Sequence, residues 1–555
     1  MNKKIFLSSL IIISFMTTYI NVNASSKNKQ NNKDNQVDSV VIRGMDKEKC
    51  SNLKNIKLYQ TSITSTEWIE EGNLPEDENA RFSGASSAKV QAPAHCIVKG
   101  EIEKRKGVNG KEYAIGFELR LPTKWNNKFL FQGGGGLNGV VSPAIGKIPS
   151  HGSTAKPALS RGYAVVTTDS GHSGGSRDIS FTEDQLARLN YAYASTGKVT
   201  NIAKQIIENV YSVYPKYSYF MGCSNGGREA MQAAMRYPNE FDGIVAGNPG
   251  FRLSRAAIGE AWDNQQFTKY APANDKREKI VSQALTQKDL DAVVKGILKR
   301  CDAKDGLADG IVNAWETCDF KPEMVEDEIG AEKVALLNAI FGGAKNSRGE
   351  NVYSSWPYDA GLNTMGWRIW KHGTSETGVP NSINFGMGAA SLAQYFMTPH
   401  NPDFDTLKFD FDKDVEKTFQ IAGINNADST DLSTFEVRGG KMIVFEGVSD
   451  PVFSAHDLRD WYNQLRNDMK NVDSFSRLFV IPGMNHCGGG PAMEDFDPLT
   501  ALEEWREKGK APDFIIAKAG NEYPDKNKEL PLCPYPKIAT YTGGNKNKAS
   551  SFKCK

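Results

Sequence analysis

Several broad classes are excluded by what this chain lacks. It has no basic block and no acidic tail: 67 lysines and arginines stand against 66 aspartates and glutamates, a net charge of +1. Nothing in that balance points to nucleic acid or to a disordered tail. No Cys-x-x-Cys pair occurs, which argues against a zinc site. No internal repeat is evident, and beyond the N-terminus no stretch is long and apolar enough to cross a bilayer. What remains, with 39% hydrophobic and 24% charged residues over 555 positions, is an ordinary globular composition able to bury a large core. The length suits roughly two to four domains.

The N-terminus reads as a targeting segment. Lys3 and Lys4 precede a mostly apolar run from Ile5 to Ile20, and Val22-Asn23-Ala24 resembles a signal-peptidase cleavage pattern. The alternative, an uncleaved anchor, is weakened by Ser8, Ser9, Ser14, Thr17 and Thr18, which leave the run short of the about 20 apolar residues of a spanning helix. Residues 1–24 are therefore expected to be a signal peptide and 25–45 a flexible Ser/Lys/Asn-rich leader. The mature protein is expected to be secreted or periplasmic, without a membrane attachment. Eight cysteines in an exported chain should be disulfide-bonded. Short-range closure suggests Cys50–Cys96, Cys301–Cys318 and Cys533–Cys554, which leaves Cys223–Cys487 as the long-range pair.

Short apolar runs alternate with helical periodicity in two blocks, the pattern of an α/β fold with a mostly parallel sheet. In residues 46–250, strands are expected at Ala114–Leu121, Lys128–Gln132, Tyr163–Thr168, Tyr217–Gly222 and Gly243–Gly247, with helices at Thr196–Tyr214 and Gly226–Tyr237. In residues 431–555, strands at Lys441–Gly447 and Arg477–Pro482 alternate with helices at Ser454–Met469 and Pro498–Lys508. Residues 251–430 are helical at Lys276–Lys299 and Ala331–Phe341, then rich in Gly, Trp and Asn. They are too many for a connection and are expected to form an inserted lid domain.

Three segments carry chemistry in the order Ser…Asp…His, the chain order of α/β-hydrolases. Ser224 lies in Gly222-Cys223-Ser224-Asn225-Gly226-Gly227, between an expected strand and helix, where a tight turn needs glycine neighbours. Asp450 sits just past its strand, whereas Asp457 and Asp460 fall inside the next helix and read as surface charges. His486 follows the last strand, in Pro-Gly-Met-Asn-His-Cys-Gly-Gly-Gly. His172, in Asp169-Ser170-Gly171-His172, precedes the serine and reads as structural or pocket-lining. The run Gly133-Gly134-Gly135-Gly136 ends a strand where a hydrolase takes one oxyanion N–H, here assigned to Gly135, the other coming from Asn225. No Gly-Lys-Ser/Thr follows the run, which discounts a nucleotide loop. Finally, Asp302, Asp305 and Asp309 recur within Cys301–Ile311 between glycines. On spacing alone this is either a wrap of oxygens around a hard cation or a pair of Asp-Gly turns.

Cys-Ser…Asp…His-Cys, the glycine-rich strand end, the large insert and the Cys-Asp-x-x-Asp-Gly-x-x-Asp-Gly-Ile loop together resemble the tannase/feruloyl esterase family, from about Cys50 to Cys554. That family includes feruloyl esterases, tannases and an esterase of mono(hydroxyethyl) terephthalate. The resemblance implies an α/β-hydrolase core, a catalytic triad of Ser224, Asp450 and His486, and a Cys223–Cys487 disulfide beneath it. It also implies a structural Ca²⁺ held by Asp302, Asp305 and Asp309 and by the carbonyls of Leu307 and Ile311. One departure is visible: Glu446-Gly447 stands where a His-Gly start often precedes the acid. The substrate implied is a small aromatic ester, galloyl ahead of feruloyl, with terephthalate monoesters third. Lid aromatics such as Trp356, Tyr358, Trp367, Trp370 and Tyr395 are candidates for a ring clamp. The rivals are a non-catalytic polyphenol- or carbohydrate-binding protein on the same scaffold and a serine peptidase.

Overall fold

The computed structural model describes residues 44–74, 86 and 89–555; the expected signal peptide, and all of the expected leader but Gly44 and Met45, lie outside them. Met45 is buried against the core rather than part of a free leader.

Among the described residues the main sheet has nine strands: β1 (Thr61–Ile69), β2 (His95–Lys106), β3 (Glu112–Pro122), β4 (Lys128–Gln132), β5 (Ala164–Thr168), β6 (Tyr217–Cys223), β7 (Gly243–Gly247), β8 (Lys441–Gly447) and β9 (Ser476–Ile481). Their spatial order is β1-β2-β3-β5-β4-β6-β7-β8-β9. From β5 to β9 every neighbour is parallel, whereas β1, β2 and β3 extend the sheet antiparallel. The parallel strands are apolar on both faces, as burial under two layers requires. In β6, Tyr219 and Met221 point into one apolar layer and Phe220 into the other.

One layer is built by α1 (Ser195–Tyr211), α2 (Asn225–Arg236) and α6 (Ala455–Asp468); the opposite one by α7 (Pro498–Lys508) and the C-terminal strands. Between β7 and β8 the chain leaves the sheet and forms a third apolar core of helices and turns, including α3 (Leu253–Tyr270), α4 (Gln287–Cys301) and α5 (Ala331–Phe341). The helix expected over Lys276–Lys299 begins only at Gln287, where Thr286 and Asp289 form a reciprocal capping box that fixes its start.

Four disulfides tie the fold: Cys50–Cys96, Cys223–Cys487, Cys301–Cys318 and Cys533–Cys554. No described helix is long and apolar enough to cross a membrane.

Candidate active site

Strand β6 ends at Cys223 and α2 begins at Asn225, so Ser224 alone makes the turn, with φ 60° and ψ −125°. A non-glycine residue is strained there, and neighbouring backbones must come close to hold it. A Cβ on Gly222 would lie 2.6 Å from the Gly226 carbonyl carbon, and one on Gly226 2.5 Å from the Gly134 oxygen. The elbow, helix α2 and the glycine run thus approach at van der Waals distance, which only glycine allows.

His486 Nε2 lies 2.8 Å from Ser224 Oγ, and His486 Nδ1 2.8 Å from Asp450 Oδ2. The three residues, far apart in sequence, form one hydrogen-bonded line. Asp450 is buried and fully used: Oδ2 also accepts from Asn248 Nδ2 at 2.7 Å, and Oδ1 from the N–H groups of Val452 and Phe453 at 2.6 and 3.1 Å. Burial alone would push its carboxyl up. The charge of His486 and the hydrogen bonds from His486, Asn248 and Val452 outweigh that and hold it below the ordinary carboxylate range. Glu446, the departure from the usual His-Gly start, is buried behind Asp450, and its Oε1 accepts from the same Asn248 amide at 3.1 Å. Burial, then the neighbouring Asp450 charge, push Glu446 well above its ordinary value. The two neighbouring carboxyls are thus pushed in opposite directions, Asp450 down and Glu446 up.

The histidine loop is equally fixed. Asn485 donates to the Gly361 and Ser449 carbonyls at 3.1 and 3.2 Å, and Glu494 accepts from Gly489 N–H at 2.6 Å. The Cys223–Cys487 disulfide joins the residue before Ser224 to the residue after His486. Phe453 and Trp370 set their rings edge-on to His486, with centroids at 5.3 and 5.2 Å.

The glycine run is positioned by Glu229 of α2. Its carboxylate accepts from Gly134 N–H at 3.0 Å, Asn138 Nδ2 at 2.7 Å, Ser170 Oγ at 3.0 Å and Asn225 Nδ2 at 3.2 Å. Asn225 opens α2, so its N–H has no intrahelical acceptor and is free to bind an oxyanion. On the glycine run, it is Gly136 that lines the cavities with Ser224, while Gly135 accepts a hydrogen bond from Asn138 N–H through its carbonyl. Arg228 is buried and has no acid partner among the described residues. It donates to Asn225 Oδ1 at 2.6 Å and to the Ala192 and Tyr191 carbonyls at 2.5 and 3.0 Å.

Two cavities meet at Ser224. A wide cleft of about 430 Å³ is bounded by His486, Gly488, Met365, Ile369 and Trp370. A narrower, mostly apolar one runs past Leu253, Ala256, Ala257, Met387, Phe396 and Phe453 to Glu260. Of the five aromatics considered for a ring clamp, only Trp370 lines either cavity. Trp356 and Trp367 are buried in the core of the insert, Tyr358 stacks on Phe341, and Tyr395 is buried against Tyr191. His172 is also structural: it stacks on Phe181 at 3.8 Å, and burial pushes it down to about 4. Asp457 is not a surface charge but a buried partner of Arg252 at 2.9 Å, whereas Asp460 is exposed beside Arg459.

In the Asp-Gly loop, Asp302 Oδ1 and Oδ2 accept from Asp309 and Gly310 N–H at 3.1 and 2.9 Å, and Asp305 from Leu307 N–H and Asn313 Nδ2 at 3.0 and 2.6 Å. Asp309 takes the buried Lys528 ammonium at 2.5 Å. Burial pushes Asp302 up and Asp305 up to about 6, with the neighbouring aspartate charges adding to both. Gathered, desolvated carboxyls are the donor chemistry of a hard cation, and Leu307 and Ile311 could add carbonyls. Among the described residues, however, no three acidic, His or Cys side chains converge as a metal shell, and Lys528 already supplies one positive charge.

A family model described as tannase and feruloyl esterase matches residues 96–555. The chain belongs to this family. As a tannase/feruloyl esterase family member it is a carboxylic ester hydrolase of α/β fold. The mono(2-hydroxyethyl) terephthalate hydrolase of Piscinibacter sakaiensis is 38% identical over 521 residues, which cover 85% of this chain and 86% of that one. A probable feruloyl esterase of Arthroderma benhamiae is 29% identical over 479 residues, 81% of this chain and 83% of its own. Feruloyl esterase B from Aspergillus oryzae shares the fold, with a TM-score of 0.73 at 22% identity over 92% of this chain and 99% of its own.

Proposed function

We propose that this family member is an exported serine esterase of aromatic-acid esters, with Ser224 as nucleophile, His486 as base and Asp450 as the group that orients and stabilises the histidine. The observation that carries this reading is the Ser224–His486–Asp450 line, 2.8 Å at each link, at the junction of two cavities. His486 Nε2 takes the Ser224 proton as Oγ attacks the ester carbonyl, and Asp450 stabilises the imidazolium that forms. The oxyanion is met by N–H groups of Asn225 and the glycine run, which we place at Gly136. His486 then gives its proton to the departing alkoxide, which leaves as the alcohol. Water, deprotonated by His486, next attacks the acyl-serine and releases the acid, returning the proton to Ser224.

The alcohol must leave within reach of His486, so it occupies the wide cleft that His486 lines. The acyl group then takes the narrow apolar cavity. A galloyl ring carries three hydroxyls that need polar partners, yet there the Asn225 amide is engaged by Glu229 and Arg228, and Ser391 donates to the Gly388 carbonyl at 2.8 Å. A terephthalate carboxylate would need a cation, and among the described residues no lysine, arginine or histidine lines that cavity. We therefore favour esters of feruloyl type over gallate and terephthalate. Purified enzyme assayed on methyl ferulate, methyl gallate and mono(2-hydroxyethyl) terephthalate should rank them in the order ferulate first. Turnover of none of the three would overturn the aromatic-ester reading. We also propose a structural calcium at Asp302, Asp305 and Asp309, which would hold the loop by charge neutralisation and take no part in the chemistry.

A further inference from the structure

Among the described residues, Glu260 is the one acidic side chain lining the apolar cavity beside Ser224. Helix α3 starts beside the nucleophile: Gly250 N–H donates to the Ser224 carbonyl at 3.1 Å, and α3 follows from Leu253. Leu253, Ala256, Ala257 and Glu260 recur at helical spacing on the cavity side, which puts Glu260 about 10 Å along the axis from Leu253.

Glu260 is half-buried, its carboxyl open to the cavity, and no hydrogen bond or ion pair reaches it among the described residues. Lys371, the cation whose charge bears on it, is held by Asp263 at 2.6 Å, with both side chains 2% exposed. Gly388 makes room opposite, since a Cβ there would lie 2.2 Å from Glu260 Oε2. Burial pushes Glu260 up to about 8; the Lys371 charge opposes this and the Asp263 charge adds to it. At neutral pH the group is mostly the neutral acid, both a donor and an acceptor.

We propose that Glu260 is a specificity-determining residue that selects acyl groups carrying a hydroxyl at the ring end remote from the ester. The proposal rests on the aromatic-esterase reading above. A phenolic hydroxyl also donates and accepts, so the two groups satisfy each other in a cavity that offers little else. An unsubstituted ring would cover the acid, exclude water from it and leave it unpaired, which weakens binding of that ring. A ring carboxylate brings a second acid and no counter-charge, and should be rejected.

The test compares kcat/KM for methyl 4-hydroxycinnamate, methyl cinnamate and methyl 4-carboxycinnamate. The parent enzyme should favour the hydroxylated ester over cinnamate by about 10–100-fold. Glu260→Leu should bring that ratio within about threefold of unity, losing the hydroxylated substrate and keeping cinnamate. Glu260→Gln, whose amide also donates and accepts, should retain most of the preference. Glu260→Met serves if the leucine variant fails to fold. An unchanged ratio in the leucine or methionine variant, with all three esters turned over normally, would overturn this assignment and leave the esterase reading standing. If the parent turns over none of the three esters but does cleave p-nitrophenyl acetate, both the aromatic-ester reading and this assignment fall.

Discussion

The sheet-borne half of the site and the helical insert that faces it are satisfied in different ways. On the sheet side, the oxygens of Asp450 and Glu229 are filled by short hydrogen bonds from elements far apart in sequence. On the insert side the described residues leave Asn264 Oδ1, both nitrogens of His372 and both ends of the Asn384 amide without a partner; on the sheet side Asn248 Oδ1 and Glu446 Oε2, beside Asp450, are left so too, but not the Asp450 and Glu229 oxygens themselves. The first arrangement fixes atoms for bond breaking, where misplacement by about 1 Å can cost a hundredfold. The second is held by apolar packing and keeps polar capacity in hand. Changes on the sheet side should therefore lower kcat, and changes on the insert side should move KM, selectivity or melting.

The largest effect should come from Ser224→Ala, which removes the reacting oxygen and little else. Ester hydrolysis should fall by about 10⁴-fold or more while the melting temperature stays near that of the parent. Residual activity within about tenfold of the parent would break the comparison at its root. Next, replacing Cys223 and Cys487 together by Ala should lower kcat by about a hundredfold, since the serine and histidine loops lose their common tether. Removing Cys50–Cys96 or Cys533–Cys554 should cost stability with little change in kcat. An equal loss from all three would mean the central bond acts through general stability alone.

The insert should answer to calcium. Chelation should lower the melting temperature by at least about 3 °C and expose the Cys301–Cys318 loop to protease, with kcat within about twofold and full recovery in excess Ca²⁺. If neither observable moves and elemental analysis finds no calcium, Lys528 alone balances the aspartates. The smallest effect belongs to Asp169, which accepts from Gly116 and Gly171 N–H at 3.0 and 2.8 Å and is pushed up to about 7 by burial, despite those hydrogen bonds. Its folded pKa lies above the unfolded value near 4, so its contribution is full below about pH 4 and lost as pH rises through 7. Asp169→Asn keeps the acceptor oxygen and cannot ionise. It should match the parent near pH 4 and melt about 2–4 °C higher at pH 8. Equal melting at both pH values would mean that Asp169 ionises without cost in the fold.

Sequence made the sheet side legible because its signals are local. An apolar run, a glycine-flanked Ser224, a strand before and a helix after are all contiguous, and His486 and Asp450 each follow their own strand. The support behind them was not legible: Glu229, Asn248 and Arg228 look like ordinary polar residues until the fold brings their partners together. Strands β1 and β2 were missed for a different reason. β2 ends in Glu101, Glu103, Lys104, Arg105 and Lys106, and its pairing with both neighbours is broken by irregular register, so charge hides the strand. Helix α3 was missed because Ala256, Ala257, Ile258, Ala261 and Phe267 are buried around much of its circumference, which removes the polar stripe that periodicity needs. The cavity wall exists only where that helix meets the Ser224 turn, so no window of sequence contains it.

Cys223 and Cys487 are 264 residues apart, and their bond closes a covalent ring that includes the entire insert. A single protease cut anywhere within that ring opens it without freeing a piece. The segment carrying Ser224 and the segment carrying His486 remain one molecule, joined one residue away from each reacting group. In a protease-rich surrounding, damage would first blur which acyl groups are accepted, and only later part the residues that cleave them.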